Sequence, residues 1–424
     1  MNTKVCVIGA GPAGLMAAIF SAAAGAGTIV IEANSSPGRK LLLTGGGRCN
    51  LTHQAEPQEL VRKFDDKGRF LSFCLYKFSP QHVREFFAEI GVLTKVEKDG
   101  CVFPVTNSAA EMRNAIFKRA KDLGVKFLFD RRVGNITKEN GMFIILAGKE
   151  RICAGRLIIA TGGLSWPKTG CTGDGYRFAR QFGHRIIDTR AALVPLVTLE
   201  TWPGRLAGTA LEYVRITTRL NNRKTAAEGT LIFTDDGFGG SAAQDMSRYL
   251  TNYLPAEDKP IEIVLDTARC FEQAELESRI IECIAANPKK KVVNILAGFL
   301  PKRFSALVCE LSGCDGQIPA GELKKDMRKK LIKLVRALPL SIVRTGPITE
   351  ATVTRGGVDI AEIDPKTMES KICPGLFFAG EVIDVDGPCG GYNLQMCWST
   401  GALAGSSATG KISISKSSIL LLFC

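Results

Sequence analysis

The stretch KVCVIGAGPAGLMAAIFSAAAGAGTIVIEA, residues 4–33, decides the fold. Residues 5–8 are a short apolar run of the kind a buried parallel strand needs. Gly9-x-Gly11-x-x-Gly14 follows at once and opens an alanine-rich segment that predicts a helix to about Ala24. A second apolar run, 28–31, ends in Glu32. A lone GxGxxG is a weak signal, but here strand, glycine turn, helix and a distal acid occur in the order a dinucleotide cradle requires. Gly9 permits the tight turn, Gly11 lets the backbone approach a pyrophosphate, and Gly14 lets helix and strand pack closely. The helix start offers unpaired N–H groups to phosphate. Glu32 is placed to accept from ribose hydroxyls. Residues 5–31 carry no charge, yet the glycines and proline of GAGPAG suit a strand–turn–helix better than a membrane span.

Two later segments choose the dinucleotide. ICPGLFFAGEVIDVDGPCGGYNLQMCWSTGALAG, residues 372–405, reads as a buried strand, a Gly380-Glu381 turn and a helix rich in small residues. A strand that returns to the first sheet, followed by a helix aimed at a flavin ring, suits FAD. The helix dipole there stabilises negative charge on the reduced ring. GRLIIATGGLSWPKTGCTGDGYRFARQFGH, residues 155–184, places Thr161 and Gly162 in an Ala-Thr-Gly turn after a third strand. Three spaced elements in this order predict FAD where one alone would not.

TGGGRCNLT, residues 44–52, raises a separate question. Three glycines in a row are entropically costly, so something is expected to approach the loop closely. Cys49 lies where a redox-active pair would sit in a disulfide reductase, but the nearest other cysteine is Cys74. A packing role against the flavin is the reading preferred for Cys49 over thiol chemistry.

GRKLLLTGGGRCNLTH, ATGGLSWPKTGCTGDGY, DPKTMESKICPGLFFAGEVIDVDGPCGGYNLQ and TGALAG together resemble the BaiN-like family of bacterial NAD(P)/FAD-dependent oxidoreductases, from Lys4 to about Gly405. Its members include aminoacetone oxidases and bile-acid-pathway reductases. The resemblance implies that Ala13 and Gly14 meet the pyrophosphate and Glu32 the adenosine ribose. It implies that Arg39 and Lys40 contact the nucleotide, and that Gly45 and Asn50 lie against the ribityl-flavin region. Val133 would offer backbone groups to the adenine, while Gly380, Glu381, Asn393 and Leu394 would close the flavin end. Arg48, Cys49, His53, Tyr176 and Tyr392 are candidates for catalysis only because their motifs should surround the flavin. Cys171, Cys389, Met396 and Cys397 depart from the residue types expected there.

The expected fold class is α/β: a Rossmann-like FAD-binding domain of the two-dinucleotide-binding flavoprotein type, with an inserted β-rich plus helical domain. The FAD-binding domain would comprise 1–190 and 345–410. The insertion would be β-rich over 191–266 and mainly helical over 267–344, leaving a tail at 411–424. No second GxGxxG follows a strand in the insertion, so either NAD(P)H docks without a second Rossmann domain or another donor is used. Asp235, Asp236 and Asp245 invite an acid–base or metal role, but a solvated or capping role fits their surroundings better.

Bulk composition bounds the rest. The chain has 424 residues and a formal charge of +13, with lysine runs at 289–291 and across 324–330. These read as a solvated loop and helix face, with no RNA-binding motif beside them. Fourteen cysteines without Cys-x-x-Cys or zinc spacing, and only three histidines, predict no metal site and a reducing cytoplasm. The expected function is flavin-mediated hydride transfer to or from a small organic substrate, with NAD(P)H as donor, no membrane and no nucleic-acid partner. An oxygen-using amine oxidase is the alternative. Outside that class stand a tRNA-modifying flavoprotein, suited by the charge, and a non-catalytic redox sensor, suited by the cysteines.

Overall fold

The computed structural model describes residues 1–254 and 259–410. The chain divides into two compact units, one made of Met1–Arg190 and the segment from Thr352 onward, the other of Ala191–Ala351.

The first unit is built on one sheet. Asn2–Ile8 lies between Thr28–Ile31 and Glu150–Ile159, parallel to both. Lys126–Leu128 extends one edge in parallel, and Met142–Ala147 and Val133–Glu139 extend the other as antiparallel strands. The late strand Leu376–Phe378 pairs in parallel with Glu150–Ile159. The central strands read as continuous apolar runs because both faces are covered, as parallel sheets require.

Two helices cover the site end of this sheet, Pro12–Ala23 and Tyr392–Ser407. Their contact is made of small residues. A side chain on Gly401 would stand 2.4 Å from the Ala13 carbonyl oxygen, and one on Gly405 would stand 2.3 Å from that of Ala17. The Ser21 hydroxyl donates to the Gly405 carbonyl at 3.1 Å. The late helix is buried almost all round, so its polar residues need partners. Gln395 and Ser399 both bond the Phe78 carbonyl, and the Trp398 indole N–H donates to the Leu51 carbonyl at 2.9 Å.

The second unit holds a closed antiparallel barrel. Its strands run in the order Leu196–Thr198, Gly237–Gly239, Arg223–Phe233, Ala210–Leu220, Ile261–Asp266 and Leu338–Thr345, and the last pairs back with the first. Leu211, Val214, Ile216 and Leu220 point inward; a bulge between Leu211 and Val214 leaves Tyr213 exposed with a left-handed backbone. Four helices follow between the last two strands: Gln273–Ala286, Val292–Leu296, Lys302–Ser312 and Lys325–Arg336. Asp236 pairs with Arg344 at 3.1 Å, a structural use for one carboxylate of the TDDG stretch.

Candidate functional site

The cradle glycines have different jobs. A side chain on Gly9 would stand 2.5 Å from the Ala160 carbonyl oxygen, and one on Gly14 would stand 1.9 Å from that of Gly9. Those two are demanded by the protein itself. Gly11 faces open space, with nothing within 4 Å of an added side chain. Gly11 also caps the helix without a side-chain hydrogen bond, and no acid sits in the first turn. The helix therefore presents bare N–H groups and its positive dipole end to that space. The start of Tyr392–Ser407 is likewise free of a side-chain cap and of acids, with Gly391 before it. A glycine window beside two such helix starts fits an anionic dinucleotide.

Glu32 is only 8% exposed and receives three donors. Ala10 N–H reaches Oε2 at 2.7 Å, while the Asn34 backbone and side-chain N–H groups reach Oε1 at 2.9 and 2.7 Å. Arg39 in turn donates to the Asn34 side-chain oxygen at 2.9 Å. Asn34 thus joins Glu32 to the guanidinium, a link that spacing alone does not disclose.

Lys40 and Glu381, far apart in sequence, form a nearly buried ion pair at 2.6 Å, their side chains 19% and 12% exposed. Ser165 stands between them, accepting from Lys40 at 2.6 Å and donating to Glu381 Oε1 at 2.7 Å. The Thr354 backbone N–H also reaches Glu381 Oε1, at 2.8 Å. Burial alone would raise the Glu381 carboxyl, but Lys40, then Ser165 and Thr354, hold it below the ordinary carboxylate range. Burial alone would lower the Lys40 ammonium, but Glu381 holds it above its usual value. Gly380, with φ +74°, brings this turn against the cradle, since a side chain there would stand 2.7 Å from Ala13 Cβ. The Ala-Thr-Gly turn joins the group: Gly9 abuts Thr161, and a side chain on Gly162 would stand 2.9 Å from Cys171 Sγ. Burial raises the Cys171 thiol and pushes the Cys397 thiol up to about 12.

A second cluster forms around the triple-glycine loop. Gly45, Gly46 and Gly47 all have left-handed backbones, as does Cys49. Gly46 meets open space, whereas a side chain on Gly45 would stand 2.8 Å from the Asn50 backbone nitrogen. Cys49 is fully buried, and burial pushes its thiol up to about 12. Arg48 turns away to Glu97 and Asn107 and lies over the Phe103 ring, 3.9 Å from its centroid. Asn50 Oδ1 accepts from the Val102 N–H at 3.3 Å. His53 stacks on Tyr392 with ring centroids 4.9 Å apart, and its Nδ1 lies 3.2 Å from the Gly390 carbonyl oxygen. Burial lowers the His53 pKa, so the ring is neutral near pH 7. Asn393 braces residues 387–388 through its amide, with Leu394 behind it in the helix. Val133 starts an antiparallel strand, where Arg177 donates to the adjacent Gly134 carbonyl at 2.9 Å.

The structure therefore gathers Gly9, Ala13, Gly14, Thr161, Gly162, Gly380, Glu381 and Lys40 in one place. Gly45, Asn50, His53, Tyr392 and Asn393 gather around the loop and the late helix start. Sequence reasoning passed over Asn34, Ser165 and Thr354 as site residues. Ser165 follows the Ala-Thr-Gly-Gly turn closely enough to have been flagged, but Thr354 sits in a strand with no motif. No cluster of metal-ligating side chains occurs among the described residues.

This sheet, cradle and returning strand define a Rossmann-type FAD-binding fold. The chain belongs to the HI0933-like protein Rossmann domain family, which matches residues 3–407. It is 31% identical over 408 residues to the 3-dehydro-bile acid delta(4,6)-reductase of Clostridium scindens, covering 96% of this chain and 98% of that protein. It is 33% identical over 407 residues to the ribosomal RNA dihydrouridine synthase of Escherichia coli, covering 93% and 95% respectively. Among solved structures, the 3-ketosteroid-delta4-(5alpha)-dehydrogenase of Rhodococcus jostii shares the fold with a TM-score of 0.51 at 16% identity, covering 96% of this chain and 97% of that one. A flavocytochrome c3 fumarate reductase gives the same TM-score of 0.51 at 19% identity, covering 96% and 78%. The chain is an oxidoreductase-family flavoprotein, and none of its described helices is long and apolar enough to cross a membrane.

Proposed function

We propose that the protein reduces a C=C bond conjugated with a carbonyl group, using FAD and drawing electrons from NAD(P)H. The observation that carries this reading is the end-to-end likeness to two relatives whose names describe one chemical act. One reduces a 3-dehydro-bile acid at delta(4,6), and the other makes dihydrouridine in ribosomal RNA. Both names describe saturation of an alkene polarised by a nearby carbonyl. Bound FAD would supply the two-electron hydride carrier. The hydride would go to the carbon β to the carbonyl and a proton to the α carbon. Gly11 and the bare helix start would seat the pyrophosphate, and Glu32 and Asn34 the adenosine side. Lys40 and Glu381 would form a net-neutral wall beside it. Cys49, buried and protonated, would serve packing in this scheme. The thirteen free cysteines described support a reducing cytoplasmic setting.

Two carriers of such an alkene differ in size. A free small enone is the expectation set by the sequence. The formal charge of +13 favours a second reading, in which the alkene belongs to a uracil ring within RNA.

The test is anaerobic stopped-flow of the yellow protein with NADH or NADPH. Bleaching is expected, followed by recovery of colour on adding a 3-oxo-4-ene steroid or a uridine-containing ribosomal RNA transcript. Failure to bleach, together with oxygen-dependent turnover of an amine, sinks the reductase reading in favour of an amine oxidase.

A further inference from the structure

The two lysine runs that looked unrelated in sequence are folded together. The Ala320 N–H donates to the Lys290 carbonyl at 2.8 Å, the Gly321 N–H donates to that of Pro288 at 2.9 Å, and Lys291 forms an isolated antiparallel bridge with Pro319. The Lys325–Arg336 helix starts a few residues later, with Lys324 as its cap residue. Segments 288–291 and 322–333 thus carry eight lysines against two carboxylates, Glu322 and Asp326. All eight lysines are exposed. None has an ion-pair partner among the described residues, and Lys291 alone has a side-chain hydrogen bond there, to Gln317 at 2.8 Å.

These charges work against the local fold. Lys291 caps the start of Val292–Leu296, and Lys324 and Lys325 stand at the start of Lys325–Arg336. Cations at a helix N-terminus oppose its dipole. Lys325, Lys329 and Lys333 are spaced four apart on one exposed stripe, where like charges repel. Lys333, in the last turn, suits the dipole, but the lysines at the helix start and the repulsion along the stripe are costs that a polyanion would relieve. A membrane-surface helix would show large apolar side chains beside its lysines. Neither segment holds an exposed large hydrophobic residue.

We propose that this lysine face docks the phosphate backbone of RNA. The proposal rests on the RNA form of the function above, but its test reads binding and not turnover. The holoprotein is titrated into a fluorescein-labelled 20-nucleotide uridine-containing RNA hairpin, and anisotropy is followed from 50 to 300 mM KCl. Two variants of equal charge change are compared. One carries Lys325→Gln, Lys329→Gln and Lys333→Gln. The other carries Lys98→Gln, Lys149→Gln and Lys366→Gln, exposed lysines of the other unit. The first should lose about tenfold or more in affinity near 150 mM salt, and its salt slope should fall by about two. The second should stay within about twofold of the parent. Equal losses in both variants, or none in the first, overturn the proposal. So does patch-dependent binding to phosphatidylserine vesicles with no binding to the hairpin, which assigns the face to a membrane. Retained flavin absorbance in both variants excludes unfolding as the cause of a loss.

Discussion

The cradle at residues 9–14 and the loop at residues 44–50 each carry three glycines, yet they use them differently. In the cradle, Gly9 and Gly14 are pressed against backbone oxygens, and only Gly11 opens onto free space. In the loop all three have positive φ, and only Gly45 is tightly packed. Two of the cradle glycines are demanded by contact with the fold, Gly9 also by its φ of +100°, while Gly11 is open on the side a ligand would occupy. Loop glycines are selected by backbone conformation, to carry the chain around buried Cys49. Lys40, at the start of the loop segment, and Glu381, beside the cradle, tie the two regions together.

Breaking that tie should have the largest effect. Lys40→Met strands a carboxylate that is 12% exposed and should cost about 3 kcal/mol by urea unfolding at pH 7. The pH dependence gives the sign. In the parent, the Glu381 pKa is depressed below its ordinary value of 4.5, so its contribution is present above that pH and lost on acidification through the depressed value. In the variant, burial governs and the carboxyl is raised, so the deficit should shrink as pH falls. A deficit that is flat between pH 4 and 7 would refute the buried-pair account. Gly14→Ala comes next. Its side chain would stand 1.9 Å from a backbone oxygen, and the expected cost is about 2–3 kcal/mol, with a lower Tm even without FAD. Gly11→Ala sharpens the contrast. Gly11 has φ −75° and open surroundings, so the apoprotein Tm should hold while FAD affinity falls about tenfold. A lower apoprotein Tm would mean that Gly11 is structural too. Smallest is Cys49→Ser, which should keep FAD and most turnover at a cost of about 1 kcal/mol. With its thiol pushed up to about 12, Cys49 should also resist a thiol reagent at pH 8 until the protein unfolds. Loss of turnover with FAD retained would make it a participant in the chemistry.

The first unit was largely readable because its elements are local and strongly patterned. Expected strands at 5–8 and 28–31 appear as Asn2–Ile8 and Thr28–Ile31, and the late helix begins at Tyr392, within the GGYNLQ stretch. The barrel of the second unit was not readable as a barrel. Its closure depends on Leu338–Thr345 pairing with Leu196–Thr198 across five intervening α-helices, and three-residue strands such as Leu196–Thr198 leave no period to detect. The site was legible where glycine geometry dictates it and illegible where partners meet only in space. Lys40 and Glu381 were each singled out, but for a nucleotide and not for each other. Thr354 serves through its backbone N–H to Glu381 and through its hydroxyl oxygen, which accepts from the Leu164 and Ser165 N–H groups, partners that meet it only in space.

The returning strand has a consequence for how the protein is made. A ribosome releases the cradle helix early, while Leu376–Phe378 and Tyr392–Ser407 emerge only after the inserted unit has been translated. At about 5–20 residues per second, that delay is roughly twenty to seventy-five seconds. Through it, the Ala13–Ala17–Ser21 face of the nascent helix stands uncovered, with its late partner not yet synthesised. Closure of this small-residue helix pair is then a late event in the life of the chain.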